Sequence, residues 1–123
     1  MAYINDYVLD NGLGVFNAQC NRLDICSQEP ATYAEATSTY TLGNKIPPTC
    51  SVPGVRSGGG REVIVSAITN GTVTATGTAT HWALTDTSNS RLLAAGSLGS
   101  VQVVISGNPF TLTAFPVGIP GPA

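Results

Sequence analysis

Arg61-Glu62-Val63-Ile64-Val65-Ser66-Ala67-Ile68-Thr69-Asn70-Gly71-Thr72-Val73-Thr74-Ala75-Thr76-Gly77 is the stretch that decides the fold. Its first half crowds β-branched residues, whose stiff side chains suit a pleated surface better than a helix. Asn70-Gly71 is a hairpin signal, because both residues accept positive φ. From Thr72 to Thr76 polar and apolar residues alternate with the period of a half-buried strand. The pattern repeats downstream. Thr80-His81-Trp82-Ala83-Leu84-Thr85 places Trp82 and Leu84 on one face and runs into a polar turn over 86–90. Leu92-Leu93-Ala94-Ala95 leads to Gly96, and two further strands, 101–105 and 110–115, flank Ser106-Gly107-Asn108-Pro109. Short strands at this spacing, with turn signals between them, predict an all-β domain: a small β-sandwich or flattened barrel.

Upstream the grammar is looser. Arg22-Leu23-Asp24-Ile25 alternates and reads as a strand running into Cys26, broken by Gln28-Glu29-Pro30. Residues 32–36 suit one helical turn or a loop. Thr39-Tyr40-Thr41-Leu42 reads as another strand, stopped by Gly43-Asn44. The N-terminal segment 1–12 has Ile4, Val8 and Leu9 at helical spacing and a stop signal at Asn11-Gly12, so it is a short helix or an extended arm. Residues 46–60 hold Pro47, Pro48, Pro53, Gly54, Gly58, Gly59 and Gly60, a density of breakers that predicts a long exposed loop. Pro120 and Pro122 bring the chain to an extended tail, 116–123, expected to lie outside any sheet.

At 123 residues the chain is one domain, 1–123, long enough for one real core. Charged residues make up only 10%, against about 25% in ordinary soluble proteins. Five Lys and Arg against seven Asp and Glu leave a net charge of −2. A nucleic-acid binder would need a cationic stripe to neutralise phosphates, so nucleic acid is not an expected partner. No apolar run approaches the ~20 residues of a membrane helix, and the opening Met1-Ala2-Tyr3-Ile4-Asn5-Asp6 does not read as a secretory leader. So few charges suit a surface covered by a partner, since interface cores are depleted of charge in the same way. An ordinary β-domain made polar by Thr, Ser and Asn is the competing explanation.

Residues with chemistry are sparse. His81 is the only histidine, so every Ser-His or Cys-His scheme would depend on it. A strand histidine bonded to a neighbour is the simpler expectation. The acidic residues are scattered, and Gly58-Gly59-Gly60 lacks the Gly-Lys-Ser/Thr ending of a phosphate loop. No catalytic residue and no cofactor are therefore expected. Cys20, Cys26, Cys50 and His81 could supply a zinc set, but the close cysteine pairs that structural zinc favours are missing, and no metal is expected. Three cysteines are an odd count. They are buried small hydrophobes, or one intramolecular bridge plus one thiol for a neighbouring subunit, with Cys50 in the loop the best placed for the latter.

Taken in order, Thr80-His81-Trp82-Ala83-Leu84-Thr85-Asp86, Arg91-Leu92-Leu93-Ala94-Ala95-Gly96-Ser97-Leu98 and Val104-Ile105-Ser106-Gly107-Asn108-Pro109-Phe110-Thr111-Leu112 resemble a family of small structural proteins of tailed bacteriophages. The likeness covers roughly 61–119 and extends loosely to the N-terminus. Its motifs are mostly strand and turn grammar. The family's pattern does not demand the three cysteines. The resemblance implies a virion component made in the bacterial host cytoplasm: a capsid decoration or cement protein bound to the major capsid protein, or a tail-fibre, collar or neck-associated protein. It also implies a homo-oligomer, with a trimer favoured. Contact with such partners is expected from the loop and tail, at Pro47, Pro48, Val52, Pro53, Val55, Arg56, Pro120 and Pro122. A carbohydrate-binding module is the remaining alternative, weakened by how few aromatic residues the core can spare.

Overall fold

The computed structural model describes residues 3–4, 12, 14–55 and 60–119. Along the chain these form β1 (Tyr3–Ile4), α1 (Gly14–Gln19), β2 (Arg22–Cys26), a π-helical turn (Glu35–Thr39), β3 (Thr41–Lys45), β4 (Gly54–Val55), β5 (Arg61–Val65), β6 (Ile68–Val73), β7 (Gly77–Asp86), β8 (Arg91–Val104), β9 (Pro109–Leu112) and β10 (Phe115–Ile119). The protein is mostly β, as its residue pattern predicts. Seven strands in the order β1-β8-β7-β2-β3-β6-β9 make one sheet that curls into a half-barrel. A small sheet, β10-β5-β4, is the second layer. All the strand pairs are antiparallel.

The main core lies between the two sheets. Val63, Val65 and Val117 of the small sheet meet Leu23, Ile25, Leu42, Val73, Trp82, Leu84, Leu93, Val104 and Phe110 of the large one. Trp82 and Leu84 share this inner face, as their alternation requires. Strands β2, β7 and β8 are also covered on the opposite face, where the excursion from β2 to β3 folds back over them. There Cys26, Ala36, Ala83, Leu92 and Ala95 form a second cluster of mostly small side chains, with Tyr40 packed against it. Double coverage explains why residues 82–86 and 92–96 are buried without a break instead of in alternation.

A buried ionic anchor holds that excursion in place. Arg22 and Asp24 are two apart on one strand and share a face. Arg22 Nε and Nη2 donate to the Asp24 carboxylate at 2.7 and 3.0 Å, and Thr41 Oγ1 donates to it at 2.6 Å. Arg22 Nη2 also reaches the Thr37 carbonyl at 3.4 Å. Asp24 is fully buried, and burial holds its carboxyl above the usual carboxylate range despite the opposing pull of Arg22 and Thr41.

Several glycines that read as strand stops lie inside strands. Chain order hides what a strand's neighbour needs. A Cβ on Gly43 would collide with the backbone of Thr72 in β6, so β3 continues through it. Gly71 sits opposite Phe110, whose ring occupies the space a Cβ would take, and Asn70-Gly71 is mid-strand in β6 rather than a hairpin turn. Gly96 pairs with Trp82 in the same way, its Cβ position 2.8 Å from the indole. Aromatic rings laid over cross-strand glycines shield the backbone that glycine leaves bare. Two expected turns do form: 87–90 between β7 and β8, where Asp86 accepts from Ser88 N and Asn89 Nδ2, and 105–108, closed by Asn108 N to Ile105 O at 3.1 Å with Gly107 at φ 91°.

Other boundaries move. The expected strand 110–115 is two strands, since the chain leaves the large sheet after Leu112 and enters the small one at Phe115. The tail therefore begins later than 116: β10 pairs with β5 from Phe115↔Val65 to Ile119↔Arg61. Pro116 is accommodated there because β10 is an edge strand. The loop 46–60 is partly ordered against β5, through a Cys50↔Val65 bridge and β4, while 56–59 lie outside the described residues. Of the N-terminal segment 1–12, the described pair Tyr3–Ile4 is extended and lies along β8 at Ala94 and Ala95. The remaining positions of the expected helix, save Gly12, lie outside the described residues.

Candidate functional site

The long pair β7–β8 shapes a concave region. Between Ala79↔Gln102 and His81↔Ser97, residues 98–101 of β8 oppose the single residue Thr80 of β7, so β8 bulges out of its ladder. Among the described residues β8 pairs with β1 only at Ala94 and Ala95, and no ladder joins this bulge to β9. One side chain spans the seam: Gln102 Nε2 donates to the Thr111 carbonyl at 2.7 Å. Beside it is a cleft of about 260 Å³ with Trp82 and Phe115 as its apolar wall, their ring centroids 4.6 Å apart. Ser97, Ser100, Gln102, Thr111 and Thr113 contribute hydroxyl and amide groups around it. Among the described residues no ionisable group lines the cleft, which offers hydrogen bonding and an aromatic surface.

His81 stands on the covered face of β7, next to the cleft but outside its lining. Thr80 Oγ1 lies 2.8 Å from Nδ1. Ser97 Oγ at 3.5 Å and Glu29 Oε2 at 3.8 Å both approach Nε2. A nucleophile triad needs the carboxylate on one ring nitrogen and the nucleophile on the other. Here the Thr80 hydroxyl on Nδ1 donates to the Ser27 carbonyl at 3.0 Å, and Glu29 stands 3.8 Å from Nε2, beyond hydrogen-bond distance, which is the arrangement of a strand histidine tied to its neighbours. Among the described residues no three of His, Cys, Asp and Glu gather as a metal site.

The cysteines separate into a pair and a singleton. Cys20 follows α1 and Cys50 bridges to Val65, and their thiols are in hydrogen-bonding contact. Donation to Cys50, with burial, pushes the Cys20 thiol far up. The same hydrogen bond lowers Cys50 against the opposing effect of its own burial. Cys26 lies apart in the second cluster, fully buried, with Sγ 3.7 Å from the Ala36 carbonyl. Burial and the nearby Asp24 charge push its thiol up to about 12. All three are free thiols. Cys50, the thiol expected to serve a neighbouring subunit, is half-buried and faces Cys20 within the chain.

Exposed apolar side chains are the other conspicuous feature. Val101 and Val103 at the end of β8 and Ile105 just past it alternate outward, exposed by 63%, 79% and 55%. Sequence reading assigned them to a strand but not to a contact surface. The signal was present, because Val101-Gln102-Val103-Val104-Ile105 is β-branched at both parities and only one parity can enter the core. Of the expected contact residues, Val52 and Val55 are highly exposed, Pro47 is exposed and Pro53 half-buried. Pro48 is buried and cannot contribute, since the chain between β3 and the Cys50 bridge folds it against the body. Arg56, Pro120 and Pro122 lie outside the described residues. No known protein family, curated protein or solved structure matches this chain.

Proposed function

We propose that this chain is a structural protein of a tailed-bacteriophage virion, a capsid decoration or cement protein that binds the outside of the major capsid shell. The reading rests on the resemblance in 61–119 and on one structural observation, the exposed row Val101, Val103 and Ile105 on a protein with few charges. Isolated exposed hydrophobes are ordinary, but three at alternate positions along the end of β8 and the residue after it form a strip suited to burial against another protein. Val52 and Val55 offer a second strip beside the small sheet. A rigid two-layer body with apolar strips can bridge neighbouring shell subunits, and many copies multiply a modest affinity per contact. A homo-oligomer, a trimer at a lattice axis, places several such strips on the shell together. No catalysis is assigned to it.

Quantitative mass spectrometry of purified particles, relative to the major capsid protein, tests this. Several hundred copies support decoration. A count near six, twelve or eighteen moves the protein to the tail fibre, collar or neck, and absence from the particle ends the virion reading. A carbohydrate-binding module is the second reading, favoured by the Trp82–Phe115 wall with its ring of hydroxyl and amide groups. Titrating glycans while following Trp82 fluorescence tests it, and an unchanged spectrum removes it.

A further inference from the structure

We infer that Cys20 and Cys50 form an intramolecular disulfide clasp under oxidising conditions, joining the large sheet to the small one, while Cys26 stays a free, sealed thiol. The two thiols are hydrogen-bonded neighbours, and the backbone next to each is held against a strand by main-chain hydrogen bonds. On one side Asn21 N donates to Thr85 O at 3.1 Å, holding the residue after Cys20 against β7. On the other, Ser51 N donates to Ile64 O at 2.9 Å and Ser66 N to Thr49 O at 2.8 Å, clamping Cys50 between them against β5. Both side chains pack against the main core cluster and are only partly buried, so an oxidant can reach them. Cys26 is fully buried on the opposite face and has no thiol neighbour among the described residues.

The chemistry needs a disulfide oxidant such as oxidised glutathione. Cys50 is the better nucleophile, because the hydrogen bond from Cys20 favours its thiolate. Its sulfur attacks one sulfur of the oxidant, whose S–S bond breaks and releases one thiolate. Cys20 then loses its proton and attacks the Cys50 sulfur of the mixed disulfide, and the second glutathione leaves as a thiol. Two protein thiols and one oxidised glutathione become one protein disulfide and two reduced glutathiones. The ring so closed contains β2, the π-helical turn and β3, with its ends thirty positions apart. This clasp does not depend on the virion reading.

The test is to incubate the intact, reduced protein with oxidised glutathione and measure intact mass, peptide linkage and thiol count. Expected is a monomer lighter by two hydrogens, a Cys20–Cys50 linked peptide, and one alkylatable thiol that appears only after denaturation. Oxidation should raise the folding equilibrium constant by two to three orders of magnitude, on the order expected for a ring of this size, and a reductant should reverse it. Cys26→Ala should still form the clasp, while Cys50→Ser should lose both the linkage and the oxidative stabilisation. A lasting glutathione adduct on Cys50, a linkage involving Cys26, or disulfide-linked dimers through Cys50 would each overturn the inference. So would a correctly linked clasp that lowers stability, because the native thiol positions would then be unsuited to the bond.

Discussion

Replacing Arg22 with Met isolates the work of the buried ionic anchor. The substitution keeps much of the apolar stem and removes the two charge-assisted hydrogen bonds to Asp24, leaving the carboxylate with Thr41 alone. Each such bond contributes roughly 1.5–3 kcal/mol, and breaking one partner of a buried pair typically costs about 3–5 kcal/mol. Asp24 has one escape, which is to bind a proton. With an unfolded-state value near 3.9, protonation at pH 7 costs roughly 4 kcal/mol, and at pH 4.5 less than about 1 kcal/mol. The loss at pH 7 is therefore expected at about 3–4 kcal/mol, and it should shrink by ~2–3 kcal/mol at pH 4.5. The direction follows from linkage. Asp24 already has a raised value in the folded protein through burial, and losing Arg22 raises it further. A raised carboxyl contributes its stability below the unfolded value and loses it as pH rises through the folded one. Urea denaturation of both proteins at pH 7.0 and 4.5, with unchanged m-values, measures the four free energies. Equal losses at the two pH values, or a loss below about 1 kcal/mol at pH 7, the scale of an ordinary surface change, would refute the reasoning.

Trp82→Ala should cost about 3–5 kcal/mol by denaturant titration. The lower part of that range is expected because the void opens into the neighbouring cleft, and a loss below about 1 kcal/mol would mean the indole contributes little to the core. Gly71→Ala should cost about 1–3 kcal/mol through displacement of the Phe110 ring, whereas Gly54→Ala, which meets open space, should stay within about 0.5 kcal/mol. Val103→Lys should also leave stability within about 0.5 kcal/mol yet weaken attachment to the capsid shell in a sedimentation assay, and unaltered attachment would remove that strip from the interface.

The strands whose neighbours on the chain are also their neighbours in space were legible. Residues 80–86 and the turns on either side of β8 follow from alternation and local turn chemistry, and Trp82 and Leu84 share the core face that their spacing requires. Glycine misled wherever its reason was a partner across the sheet. Gly43, Gly71 and Gly96 look like stops along the chain, but each accommodates a backbone or ring contributed from elsewhere. Arg22, Asp24 and Thr41 could not be joined in advance, because Thr41 reaches the carboxylate only after the intervening excursion folds back over β2.

Composition and periodicity by themselves determined an all-β domain with few charges and no dense cluster of catalytic residue types. Those properties are sums over residues or short-range repeats, so they survive without knowledge of who meets whom. Only the tertiary structure decided which cysteines are neighbours and which valines stay in solvent. Each of these is a contact, or a missing contact, between strands far apart on the chain, set by how a twisted sheet curls until its edges meet a second layer.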